Sequence, residues 1–166
     1  ESVENLKLMR SRINRMELLL SDLLSYARAG NTNDNPELID SSLLIQDIYD
    51  LHCVNSAFKL KLVEPMPRFK TVKTPLEVVL RNLITNAIKH HDKDYGEITI
   101  SASEKANFIE FKVEDDGPGI EKAHRERIFG LFQTLRPRDE VEGSGMGLAI
   151  VKKTIETLNC STCDST

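Results

Sequence analysis

Between residues 3 and 29, Leu6, Met9, Ile13, Met16, Leu20, Leu23 and Ala27 fall at alternating spacings of three and four. Those spacings put them on one seam of an α-helix, the a and d positions of a coiled coil or helical bundle. Leu19 and Leu24 widen the stripe beyond a two-stranded seam and favour a four-helix bundle. A lone helix cannot bury such a stripe. The segment is therefore expected to pack on a second copy of the chain, on a helix outside this sequence, or on both. The run Ala29–Pro36 (AGNTNDNP) ends the pattern. Gly30 can stop the helix, and the Asn/Asp/Pro cluster is loop chemistry, so residues 30–36 read as a linker.

A different texture follows. Glu37–Ile39 can form a short strand. Asp40 or Ser41 can cap a helix over 42–56 that turns Leu44, Ile48 and Leu51 to one side. Lys59–Val63 alternates at period two, as a strand does, and Arg68–Val72 follows as another short strand. A helix over 75–91 has Thr74 as its cap and Pro75 in its first turn. It places Leu76, Leu80, Leu83, Ile84 and Ala87 toward a core. Glu97–Ser103 and Phe108–Val113 make a hairpin about the turn 104–107. A short helical piece follows over 121–129, then a polar loop over 133–144. The last helix, 145–158, has Leu148, Val151, Ile155 and Leu158 inward. Mixed helices and strands with an antiparallel hairpin predict an α+β two-layer sandwich rather than a doubly wound parallel sheet.

Composition narrows the functional classes. The 166 residues carry a formal net charge of -4, which argues against general nucleic-acid binding. No apolar run is long enough to span a bilayer, and no membrane contact is expected of this segment. Three cysteines without a secretory signal suggest reduced cytosolic thiols. Cys160 and Cys163 form an isolated C-x-x-C, two ligands where zinc takes four, and read better as small residues in or beside a C-terminal strand.

Four stretches carry chemistry. On the helix over 75–91, Asn82, Asn86, Lys89 and His90 share one side, bordered by Val78 and Val79. That side is either a pocket wall or a solvated stripe. Asp115-Asp-Gly117-Pro-Gly119-Ile120 ends a strand. Its glycines permit either a tight turn or close approach of backbone to a ligand. Phe129 and Phe132, followed by Arg136 and Arg138, read as a hydrophobic plug with a solvated loop, or as a mobile lid whose arginines reach a phosphate. Gly143-Ser144-Gly145-Met146-Gly147-Leu148 leads into a helix, where free N–H groups and the dipole favour a phosphate. It is neither a dinucleotide fingerprint, which follows the first strand of a βαβ unit, nor a Walker A motif, which has G-K-[ST].

In this order the four stretches resemble the catalytic ATP-binding domain of sensor histidine kinases, within the GHKL ATPase superfamily. Residues 82–91 look like the N box, 115–119 the G1 box, 129–132 the F box and 143–147 the G2 box; the resemblance covers 37–159. Residues 12–28 look like the second helix of that family's dimerisation and phosphoacceptor domain. The resemblance implies domains at 1–29 and 37–166 joined by the 30–36 linker. It implies that Asn86 binds Mg²⁺, that Asn82 supports it and that Lys89 meets phosphate. His90 would take the place of a Tyr against adenine, and Asp115 would read the adenine amine. Gly117, Gly119 and Ile120 would pass the nucleotide, and Phe129, Phe132, Arg136 and Arg138 would belong to the lid. Residues Gly143, Ser144, Gly145, Met146, Gly147 and Leu148 would line the phosphate side. The implied cofactors are ATP and Mg²⁺. The implied partners are a response-regulator receiver domain and a second copy through the N-terminal helix. The implied location is cytoplasmic, alone or as the inner part of a membrane-anchored sensor.

One departure matters. The family's acceptor motif, a His followed by an acidic residue and a Pro, is absent around His52, His90, His91 and His124. The acceptor helix is therefore expected outside this sequence, and the C-terminus reads as short of the family's last strand. The alternatives are a non-catalytic ATP-binding module or another GHKL ATPase.

Overall fold

A computed structural model describes residues 2–31, 33–53, 57–133 and 144–163, with side chains described for 3–158 within those ranges. The chain divides into two compact units. One comprises residues 32–121; the other comprises 1–31 together with 122–166.

In the first unit, β1 (Glu37–Asp40) pairs antiparallel with β3 (Arg68–Thr71), Ile39 opposite Phe69. A second sheet has the order β2-β4-β5, from Ala57–Val63, Tyr95–Glu104 and Ile109–Asp115. β2 runs parallel to β4, with Ala57 opposite Tyr95, while β4 and β5 form the expected antiparallel hairpin. The sheet is therefore mixed. Two helices, α2 (Ser41–His52) and α3 (Lys73–Lys89), share a core with it. Ile45, Leu80, Ile84, Ile98 and Ile100 are its fully buried centre. Lys59, Lys61, Glu97, Glu110, Lys112 and Glu114 remain exposed on the strands, with Lys112 Nζ 2.8 Å from Glu114 Oε1. A core of helices against apolar strand positions, with the alternate positions solvated, is the two-layer α+β sandwich that the residue pattern predicted.

Asp40 caps α2 as expected. Its Oδ1 accepts from the N–H groups of Ser42 at 3.1 Å and Leu43 at 3.2 Å, while Oδ2 takes Arg68 Nε at 2.7 Å. The Leu43 amide and the Arg68 guanidinium hold this carboxyl below the usual range against a smaller opposing effect of desolvation. Burial pushes the Cys53 thiol up. Four expectations fail locally. Thr74 does not cap α3, which starts at Lys73 from Val72 without a side-chain cap; Thr74 Oγ1 instead donates to Asp34 Oδ2 at 2.8 Å. Leu51 is exposed, because α2 turns Leu44, Ile45 and Ile48 inward. Val79, expected at the border of the polar stripe, is buried, whereas Leu83 is only half-buried.

The second unit holds α1 (Ser2–Arg28), two short 3-10 turns (Lys122–His124 and Arg127–Phe129) and α4 (Gly147–Cys163). Within it α4 meets the last turns of α1. Lys153 Nζ donates to the Tyr26 carbonyl at 2.7 Å and sits 4.3 Å over the Tyr26 ring. Gly30, at φ +77°, lies where a Cβ would come within 2.3 Å of Thr157. The seam residues further up α1 are exposed. Met146, Ala149, Ile150, Val151 and Thr154 are the buried positions at the start of α4, and Ile155, expected inward, is exposed. α4 remains helical through Cys163, so Cys160 and Cys163 belong to a helix rather than to the expected strand.

Candidate functional site

The expected site residues fall on both units, and each half has its own geometry. In the unit of residues 32–121, the polar side of α3 carries Asn82 and Asn86, both half-buried, then Lys89 and His90, both exposed. Asn82 Nδ2 donates to the Val78 carbonyl at 2.7 Å, a bond back along the helix that fixes its side chain. Asn86 makes no such bond among the described residues, and its amide oxygen is a free hard donor. That suits Mg²⁺, which takes few protein ligands, keeps waters and uses phosphate oxygens. No group of three or more His, Cys, Asp or Glu among the described residues could hold a metal. α3 ends at His90, whose N–H goes to the Asn86 carbonyl at 3.0 Å.

Asp115 closes β5, and its Oδ1 accepts the N–H of Gly117 at 2.9 Å. This small ring folds the turn back on the carboxylate. Gly119 has φ +72°, the left-handed region that glycine enters without penalty, and a Cβ there would meet nothing within 4 Å. Among the described residues the turn thus stays open on the side of Gly119. Ile120 follows, partly exposed.

Local patterning did not reveal the group behind this turn. His91 is buried, with its side chain only 1% exposed. Its Nε2 lies 3.1 Å from Asp116 Oδ1, and that oxygen also accepts the Glu97 N–H at 2.8 Å. The Glu97 amide, aided by the His91 ring, holds the Asp116 carboxyl below its ordinary value despite some desolvation. The Phe58 ring meets His91 edge-on, with centroids 5.1 Å apart. The only local hint of this was a histidine placed just after a helix end.

In the other unit, Phe129 ends a 3-10 turn and Phe132 follows at φ +58°, a backbone state rare for an aromatic residue. Both rings are partly exposed. Gly145, at φ +73°, has no room for a Cβ, which would lie 2.9 Å from the Gln133 carbonyl oxygen and 3.0 Å from the Phe132 carbonyl carbon. Its glycine lets the turn before α4 rest on the backbone after the aromatic pair. Ser144 donates to Asp22 of α1 and accepts the Met146 N–H at 3.2 Å. Met146 is fully buried, Gly147 begins α4, and Leu148 is half-buried. Arg136, Arg138 and Gly143 lie outside the described residues, as does most of the loop expected over 133–144.

Residues 71–164 match the family described as histidine kinase-, DNA gyrase B-, and HSP90-like ATPase. The chain belongs to this ATPase family. Its curated relatives include phytochrome-like proteins and proteins named as sensor kinases. It is 33% identical to the phytochrome-like protein Cph1 of Synechocystis over 87% of this chain and 20% of that protein. It is 31% identical to the sensor protein kinase WalK of Staphylococcus aureus over 93% of this chain and 39% of that protein. The chain thus spans two fifths or less of the length of these relatives. Among solved structures, the catalytic domain of histidine kinase ThkA aligns at a TM-score of 0.61 and 26% identity, over 74% of this chain and 81% of that one. Full-length ShkA in complex with AMPPNP shares the fold over 94% of this chain at a TM-score of 0.72. The chain therefore contains a domain of this ATPase family, similar in sequence and fold to the catalytic domain of a histidine kinase. No described helix is long and apolar enough to cross a membrane.

Proposed function

We propose that this chain is the catalytic core of a two-component sensor histidine kinase. It binds Mg-ATP and passes the γ-phosphoryl group to a histidine on a phosphoacceptor helix, from which a response-regulator Asp receives it. The observation that carries this reading is the extent of the similarity. The alignment with WalK covers 93% of the chain, so it must take in much of α1 as well as the ATPase domain. We place the domain limits at 1–29, 30–36 and 37–166.

Phosphoryl transfer needs little covalent help from protein. It needs a cation across the phosphates, neutralisation and an aligned acceptor. Asn86 supplies the protein oxygen for Mg²⁺, with Asn82 fixed one turn earlier and Lys89 toward phosphate. Asp115 keeps Oδ2 available for the adenine amine while Oδ1 holds the turn. His90 flanks the base. Gly117, Gly119 and Ile120 let the chain run beside the nucleotide. Phe129, Phe132, Arg136 and Arg138 act as the lid, and residues 143–148 meet the phosphates. α1 pairs with a second copy in the whole protein, which works in the cytoplasm.

Mixing tests the reading. The chain is incubated with labelled Mg-ATP and the parent protein's phosphoacceptor helix. Acid-labile label on histidine is the expected result. No labelled histidine, at concentrations where calorimetry shows ATP bound, would sink it.

A further inference from the structure

We infer that His91 is a positioning residue for base recognition: its buried ring ties the end of α3 to the turn that carries Asp115. The inference rests on the proposed role of Asp115 toward the adenine amine.

The geometry is specific. Nδ1 accepts the Lys93 N–H at 3.0 Å, which leaves the proton of a neutral ring on Nε2, donated to Asp116 Oδ1. In the protonated ring Nδ1–H faces Asp92 Oδ1 at 3.2 Å, and Nε2–H still donates to Asp116. Either way the ring grips the residue next to Asp115. The turn is also backed directly onto the ring. A Cβ on Gly117 would lie 3.1 Å from His91 Cδ2 and 2.6 Å from Asp115 Oδ1. A Cβ on Gly96 would lie 2.9 Å from His91 Nε2, 2.6 Å from Asp116 Oδ1 and 2.8 Å from Phe58 Cε1. Two glycines packed against the ring therefore let it reach both β4 and the turn.

A purely structural filler at so dry a position would be apolar, since burying an imidazole costs free energy unless it is bonded. Here its Nε2 bond goes to Asp116, between the base-reading carboxylate and the Gly117 amide that orients it. If the ring moves, Asp115 loses its fixed aim, although His91 itself is buried behind the turn.

The test compares affinities for two ligands on the same sample, by calorimetry with Mg²⁺ present: ATP, and purine riboside triphosphate, which lacks the adenine amine. The ratio of the two is insensitive to the fraction of folded protein. Wild type should prefer ATP, and Asp115→Asn should abolish the preference. His91→Phe keeps an aromatic ring but no donor, and should lower ATP affinity about tenfold with less than a twofold change for the analogue. His91→Gln, which can present an amide near the Nε2 position, should recover most of the loss. Asp116→Ala alters an exposed side chain and serves if His91→Phe does not fold; it should lower the ratio in the same direction. Should Asp115→Asn keep the wild-type ratio, the base-reading role fails and this inference with it. A ratio lowered by Asp115→Asn but unchanged in His91→Phe and Asp116→Ala would overturn the positioning role alone.

Discussion

α1 and α3 carry apolar residues at similar helical spacings, yet their burial is opposite. On α3, Val79, Leu80, Ile84 and Ala87 are at most 9% exposed, whereas on α1 Leu6, Met9, Ile13, Met16, Leu20 and Leu23 are 47–64% exposed. The difference lies in what each unit offers. α3 has α2 and the β2-β4-β5 sheet beside it in its own unit. Among the described residues, the last turns of α1 and Gly30 just after them meet α4 and the turn before it, where Asp22, Tyr26 and Gly30 face Ser144, Lys153 and Thr157. Full burial of a Leu, Ile or Met is worth roughly 1.5–3 kcal/mol each, so the bare seam holds several such increments for a partner helix. A stripe states that a helix needs a neighbour; it does not say whether the same unit contains one.

Substitutions can break or sharpen this contrast. Ile84→Ala, at the centre of the core, should lower unfolding stability by about 2–5 kcal/mol in urea titrations. An equal loss for Ile13→Ala would show that the α1 seam is buried after all. Asn86→Ala acts on the other side of the same helix. It should weaken Mg²⁺-dependent ATP binding roughly ten- to hundredfold by calorimetry and leave the urea midpoint near wild type. Unchanged affinity would make that side of α3 an ordinary solvated face. Gly30→Ala forces a side chain into left-handed backbone against Thr157 and should cost about 1–2 kcal/mol of thermal stability, which marks the anchored end of α1.

Two smaller effects complete the series. The Leu43 amide and the Arg68 guanidinium hold the Asp40 carboxyl below its ordinary value in the folded state. Its stabilising contribution is therefore present above the unfolded pKa and is lost as pH falls through the lower folded value. Asp40→Asn can still accept at the cap but does not titrate. Its urea midpoint should fall less than that of wild type between about pH 5 and about pH 2. Ile13→Ala should change the stability of the chain alone by no more than about 0.5 kcal/mol, the usual range for an exposed position.

Much of this could be read from local chemistry. Asp40 before an amphipathic run is a cap, alternation over 97–113 is a hairpin, and glycines around a proline make a turn. What stayed hidden depends on neighbours distant in sequence. Thr74 had the right identity for a cap but found Asp34. Leu51 and Ile155 kept the helical period but fell outside the contact surfaces. The β2–β4 parallel pairing has no short-range signature, because residues of β3 and α3 intervene. His91 was passed over beside His90, since its burial is decided by Phe58, Gly96 and Gly117. Before α4 the glycine spacing announced a turn, and Gly145 shows why one is needed there: backbone packs against backbone. The likeness to a family marked the four boxes together, which no single spacing could do.

The parallel partnership of β2 and β4 also has a consequence in time. The β4–β5 hairpin closes over a short turn, with Lys105 N–H to the Phe108 carbonyl at 2.9 Å, and such hairpins form on the order of microseconds. β2 can join β4 only after the chain has looped through β3 and α3, a long-range closure that slows folding. Asn86, the proposed Mg²⁺ ligand, lies inside that loop. A chain halted during its synthesis or refolding would show the hairpin early and acquire affinity for nucleotide only in the last, slowest step. Ligand binding would then serve as a clock for the completion of the sheet.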